Sequence, residues 1–266
     1  MIAMFRALLV VLLLITGAAQ PASAGAFEDG LAAYRTGNYP TALRLWMPLA
    51  RQGYADAQIN LGFMYDNGQG VPQNYAEAVK WFRLAADQGS AGAQNKLGIM
   101  YADGQGVPQN YAEAVKWFRL AADQGNDSAQ FILGFLYAKG QGVPQNDAEA
   151  VKWYRLAADQ GDTIAQFSLG EIYAKGQGVP QNYAEAMKWW RLAADQGYAA
   201  AQFNFGLMYA NGHGVPQNFL LAHMWYNLAS AGGDANGAKN RDFVASKMTP
   251  AQIAEAQRLA AEWKPK

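Results

Sequence analysis

The 266-residue chain contains no cysteine, which excludes disulfides and thiolate metal sites alike. It has two histidines, His213 and His223. Neither stands near a carboxylate or histidine cluster, so the ligand set of a zinc centre is missing and both read as a turn residue and a packing residue. Charge of one sign is also missing: 21 basic side chains face 21 acidic ones, and no block of like charge occurs. Nothing electrostatic therefore draws the chain to nucleic acid or to an anionic membrane. The motif "GQGVPQ" lacks both the third glycine of a dinucleotide loop and the Gly-Lys-Ser/Thr ending of a P-loop. No Ser-x-x-Lys is present, since Ser90, Ser128, Ser168, Ser230 and Ser246 all lack a lysine three residues on. Without a nucleophile–base set, a non-enzymatic protein with no cofactor is expected.

Apolar residues are plentiful, at 51% of the chain, with 13% aromatic, so a core can be buried. The longest apolar run, "ALLVVLLLITGAA", is too short for the roughly 20 residues of a membrane span. It follows Arg6 and precedes Pro21 and the small-residue motif Ala22-Ser23-Ala24. Basic start, short apolar run and small-residue site are the three parts of a secretory signal peptide over residues 1–24. The expected mature chain starts near Gly25, is periplasmic or secreted, and has no stable membrane insertion. The absence of cysteine after the site excludes lipid attachment there.

The dominant feature is a repeat. The 22 letters "GQGVPQNYAEAVKWFRLAADQG" from Gly68 recur unchanged from Gly104, with near copies from Gly140 and Gly176 and a more altered one from Gly212. The period is 36 residues, and Trp81, Trp117, Trp153, Trp189 and Trp225 fall on it. Each unit reads as two helices, Ala55–Gly68 and Asn74–Gly89 in the first full copy. Asn74 is an N-cap, and Glu77 three residues on completes a capping box, repeated at Asn110/Glu113, Asn146/Glu149 and Asn182/Glu185. At Asn218 the box is lost to Leu221. Gly68 and Gly89 end the helices, and Gly70, Val71 and Pro72 turn between them. Helical spacing sends Tyr75, Ala78, Trp81 and Ala85 inward and Glu77, Lys80, Arg83 and Asp87 outward. Ala57, Leu61 and Tyr65, with Gly62 alongside, form the inner stripe of the first helix. One such pair cannot bury its apolar faces alone, whereas stacked pairs can.

The pattern Ala57, Leu61, Gly62, Tyr65, Gly68, Gly70, Val71, Ala78, Trp81, Ala85, Ala86 and Gly89 resembles the Sel1-like repeat, a relative of the tetratricopeptide repeat. Phe205 in place of leucine is a mild departure. The resemblance implies an all-α, right-handed solenoid of stacked antiparallel helix pairs that acts as a scaffold for other proteins. Some secreted, cysteine-rich relatives are described as penicillin-binding or β-lactamase proteins. That makes a β-lactamase-like or cell-wall amide hydrolase the alternative, although their cysteines are absent here. A small-ligand carrier is a third reading, and would need an enclosed pocket.

The expected layout is a degenerate first unit over 25–53, repeats over 54–233 and C-terminal capping helices over 234–266. In the first unit Leu45 stands at the Trp81 position. At the other end Thr249 and Gln252 form a capping box, with Pro250 at the first helical position. Recognition is expected where units differ. The stripe Asp56/Asn60/Phe63 of the first full unit becomes Lys96/Ile99, Ile132/Phe135, Ser168/Glu171 and Asn204/Leu207 in the next four. These positions share one face of the first helix, which is expected to line the concave side and to bind an extended segment of another exported or envelope protein.

Overall fold

The computed structural model describes residues 20–265. Most of the expected signal peptide lies outside them; Ala22-Ser23-Ala24 falls in the first turns of the opening helix. The described residues form fourteen α-helices and no strand, and no helix among them is long and apolar enough to cross a membrane.

Two compact units, Met1–Ala121 and Ala122–Lys266, are built the same way. The first contains α1 (Gln20–Arg35), α2 (Tyr39–Arg51), α3 (Ala55–Asn67), α4 (Tyr75–Asp87), α5 (Ala91–Asp103) and most of α6 (Tyr111–Asp123). From α1 to α5 each helix packs on the next. The second continues with α7 (Asp127–Lys139), α8 (Asp147–Asp159), α9 (Thr163–Lys175), α10 (Tyr183–Asp195), α11 (Ala199–Asn211), α12 (Phe219–Ala231), α13 (Gly237–Ala245) and α14 (Pro250–Glu262). Successive helices again pack pairwise from α7 to α13, and α14 packs on α12. This is the α-solenoid of stacked helix pairs that the 36-residue period demands.

Each pair is locked by one aromatic side chain facing one missing side chain. Phe82 lies over Gly62, where an added β-carbon would stand 2.6 Å from the ring. The same pairing joins Phe118 to Gly98, Tyr154 to Gly134, Trp190 to Gly170 and Tyr226 to Gly206. All five aromatics are buried. The innermost residue is thus the one after the periodic tryptophan, which corrects the assignment of Trp81 as the inward anchor. Trp81 and Trp189 are only half-buried, while Trp117, Trp153 and Trp225 are buried. The reason is steric: only the position opposite glycine lets the two helix axes approach. The first pair obeys the same rule. Trp46, not Leu45, is its anchor; it lies over Gly30 and its indole N–H donates to the Phe27 carbonyl at 3.2 Å.

The helix ends depart from expectation in one respect. Asn74, Asn110, Asn146, Asn182 and Asn218 each accept the backbone N–H three residues on, at 3.0–3.1 Å. The N–H that the glutamate would have to reach is already taken. Asn74 N–H donates to the Tyr65 carbonyl at 2.8 Å, and the other four asparagines bond the matching tyrosine. The glutamates turn outward instead and pair with Lys80, Lys116, Lys152 and Lys188. Half of each expected capping box therefore does not form, and Leu221 loses nothing by replacing glutamate. The box at Thr249/Gln252 forms completely.

Candidate partner-binding surface

The turn between paired helices positions everything else. Gly68 caps α3 at φ 69°, a left-handed conformation that favours glycine, and Gln73 Nε2 returns to the Asp66 carbonyl at 2.8 Å. Gly70 has φ 72°, and a β-carbon on it would meet Tyr39 Cβ at 2.7 Å. Gly106, Gly178 and Gly214 approach Tyr75, Asp147 and Tyr183 in the same way, which presses these turns against the start of the second helix in the preceding pair.

A buried glutamine reinforces the stack, and its role was not apparent from the sequence. Gln58, Gln94, Gln130, Gln166 and Gln202 are all buried. Their Nε2 atoms donate to the carbonyls of Ala50, Ala86, Ala122, Ala158 and Ala194 at 2.9–3.2 Å. Gln58, Gln130 and Gln166 also accept from Gln88, Gln160 and Gln196 at 2.7–2.9 Å. Each amide thus brings a second donor to a last-turn carbonyl of the preceding second helix, one that already accepts the N–H of the glycine three residues on. Recurrence of glutamine right after the alanine of "AQ" is the signal that could have revealed it.

Arg83, expected on the outer face, lies between rings. Its guanidinium stands 5.6 Å from the centre of the Tyr101 ring and 5.5 Å from that of Trp117, and it donates to Tyr101 Oη. Arg155 repeats this with Tyr173 and Trp189, and Arg191 with Phe205 and Trp225. The long arginine stem reaches the edge of the tryptophan, where cation–π contact replaces full solvation.

None of the expected binding residues is buried. Phe135 is 41% exposed and Asp56 is exposed; Asn60, Phe63, Lys96, Ile99, Ile132, Ser168, Glu171, Asn204 and Leu207 are half-buried. Neighbouring pairs bring some of them together. Lys96 Nζ lies 5.1 Å from the centre of the Phe63 ring, and Asn204 Nδ2 donates to Glu171 Oε1 at 2.6 Å. Glu171 also pairs with Lys175, and Lys139 lies 6.0 Å over the Phe135 ring. Phe63 has an internal role as well, standing edge-on to Phe82 at 5.1 Å. Ser168 is turned into its own helix, with Oγ donating to the Ile164 carbonyl at 2.7 Å.

A second exposed feature escaped the sequence reading. Leu84, Leu120, Leu156 and Leu192 occupy one position of the second helices and are 40–48% exposed. Core packing does not account for them. They were hidden because they recur with the same period as the core residues.

Among the described residues there is no group of three or more metal-ligating side chains. His223 is buried at 2% exposure, which lowers its pKa; the Arg241 charge lowers it further against a smaller opposite effect of Asp242.

Stacked helix pairs with a varied face on the first helix define a class, the helical-repeat scaffold. The Sel1 repeat matches residues 55–90, 91–126, 127–162, 163–198 and 199–234, and the chain belongs to that family. It is similar to a protective antigen of uropathogenic Escherichia coli that displays an SLR fold, at 36% identity and a TM-score of 0.82 over 90% of this chain. The chain spans about half of that antigen, 53% of its length. It is also similar to a Sel1 repeat protein from Oxalobacter formigenes, at 31% identity and a TM-score of 0.78, over 90% of this chain and 100% of the other. No curated protein matches the chain. The fold is of the scaffold type typical of protein–protein interaction.

Proposed function

We propose that the protein is an exported, non-enzymatic scaffold that binds an extended segment of another envelope protein along the exposed face of its first helices. The observation that carries this is the contrast between the two faces of each pair. Inward positions repeat nearly unchanged because stacking requires it. The exposed stripe changes from Asn60/Phe63 to Lys96/Ile99, Ile132/Phe135, Ser168/Glu171 and Asn204/Leu207. Identical units would bind a partner equally well in any register, whereas varied units select one. Phe135 offers an apolar anchor and Glu171 a charge, a combination that suits a peptide.

The leucine row on the second helices supports a second reading, in which the partner lies across Leu84, Leu120, Leu156 and Leu192. Photo-crosslinking separates the two. A benzoylphenylalanine placed at Ile132 should capture an envelope protein in cells, and one placed at Leu156 should not. Capture from Leu156 alone would move the site to the second helices. Export itself is tested by mass spectrometry of the native protein, which should begin near Gly25; retention of Met1 would contradict it.

A further inference from the structure

One position interrupts an otherwise aromatic series. Second helices begin with Tyr39, Tyr75, Tyr111, Tyr183 and Phe219, but α8 begins with Asp147. At Tyr39 and Tyr183 the ring reaches the turn of the next pair. Tyr39 Oη accepts from Gln69 Nε2 at 3.3 Å, and the Tyr183 ring stacks on His213 with centres 5.0 Å apart and planes 19° apart. At Asp147 the backbone approach is kept: a β-carbon on Gly178 would lie 2.6 Å from the Asp147 carbonyl carbon, as one on Gly214 would lie 3.0 Å from that of Tyr183. The frame has not moved; only the ring is gone.

A cavity of about 230 Å³ is found at that place. Lys139, Gln145, Asp147, Ile172 and Gln177 line it. Gln177 occupies the position from which Gln69 bonds the Tyr39 hydroxyl. Gln145 has followed the substitution, its Nε2 donating to Asp147 Oδ1 at 3.3 Å, where Gln73 and Gln181 donate to tyrosine hydroxyls at 3.0 and 3.1 Å. A cavity of about 150 Å³ already accommodates a benzene ring. The space therefore suits a phenol, and the lining supplies a carboxylate to accept its O–H and amide and ammonium groups to donate to its oxygen.

We infer that this cavity is a side-chain subsite that receives a tyrosine of the bound partner, restoring in trans the ring that the neighbouring pairs carry in cis. The inference rests on the scaffold reading, because Lys139 belongs to both the cavity and the exposed face of α7. It specifies the partner further: a tyrosine within reach of the residue that contacts Phe135.

The test uses 4-methylphenol as the probe, followed by NMR titration of the whole protein. The native protein should bind it at least tenfold more tightly than toluene, with shifts centred on Asp147, Ile172 and Gln177. Asp147→Tyr should fill the cavity, raise the melting temperature and weaken probe binding at least tenfold, and Asp147→Phe should block it likewise. Tyr183→Asp should create a second probe site between α10 and the turn at His213. Unchanged probe binding in Asp147→Tyr, or toluene bound as tightly as 4-methylphenol, would overturn the inference. Phe135→Ala with Glu171→Ala should bind the probe like the native protein. If those changes leave partner binding intact while the probe still binds, the stripe reading fails and the subsite stands. If they weaken partner binding and the probe never binds, the reverse holds.

Discussion

Gly92 and Gly170 both lie inside first helices, yet an added methyl group meets different surroundings at each. At Gly92 it meets nothing within 4 Å; at Gly170 it would stand 2.3 Å from the Trp190 ring. Gly92→Ala should therefore stabilise the protein by about 0.4–1 kcal/mol, through the less flexible unfolded chain. At Gly170 that gain is outweighed by overpacking of about 1–3 kcal/mol, and Gly170→Ala should destabilise. Urea unfolding of the two variants checks both signs, and a stabilised Gly170→Ala would show that the aromatic–glycine contact is not tight. His223 gives a pH dependence. Its folded pKa is lowered from 6.5 by burial, so the unfolded chain takes up the proton first. Stability should be unaffected by this group well above pH 6.5 and fall as the pH drops through 6.5 toward the lowered folded value. Melting temperatures of native protein and His223→Gln, compared from pH 7.5 downward, should show a shallower acid loss in the variant.

At the scale of elements, α8 separates the two halves of the expected capping box. Asn146 Oδ1 accepts the Glu149 N–H at 3.1 Å, whereas the Glu149 carboxylate only faces Lys152 at 3.9 Å on an exposed surface. Asn146→Ala should cost about 1 kcal/mol, and Glu149→Gln about 0.5 kcal/mol or less. Equal losses in thermal unfolding would mean that glutamate caps after all. The sequence showed this asparagine because capping is local chemistry, readable within one turn. It could not show that the glutamate is idle, because the Asn146 N–H is claimed by Tyr137, nine residues back on another helix. The anchors were obscured for the same reason. Trp189 and Trp190 are adjacent and both aromatic, and only Gly170 on the facing helix decides that Trp190 goes in.

For the molecule as a whole, the period made the helix pairs and their stacking legible, since a 36-residue unit has no other way to bury its apolar faces. The binding surface was legible only as the positions stacking leaves free. The gap at Asp147 was readable in principle as the break from "NYAEA" to "NDAEA", but its meaning depends on where Gln177 and Ile172 lie in space. Stacking also predicts unequal responses along the second unit. Trp153 is 3% exposed within the stack, and Trp153→Ala should destabilise by about 3–5 kcal/mol. Trp263 lies just past α14 and touches Trp225 edge-on at 6.2 Å; Trp263→Ala should release α14 first, seen as faster amide exchange there. The central claim is that the varied face of the first helices is where a partner binds. Its most direct measurement is the affinity of the crosslinked partner, once purified, for native protein and for Phe135→Ala with Glu171→Ala. The account predicts a loss of at least tenfold with little change in melting temperature, while Lys116→Ala with Arg119→Ala on α6 binds normally. Undiminished affinity in the first variant, with loss only in the second, would contradict it.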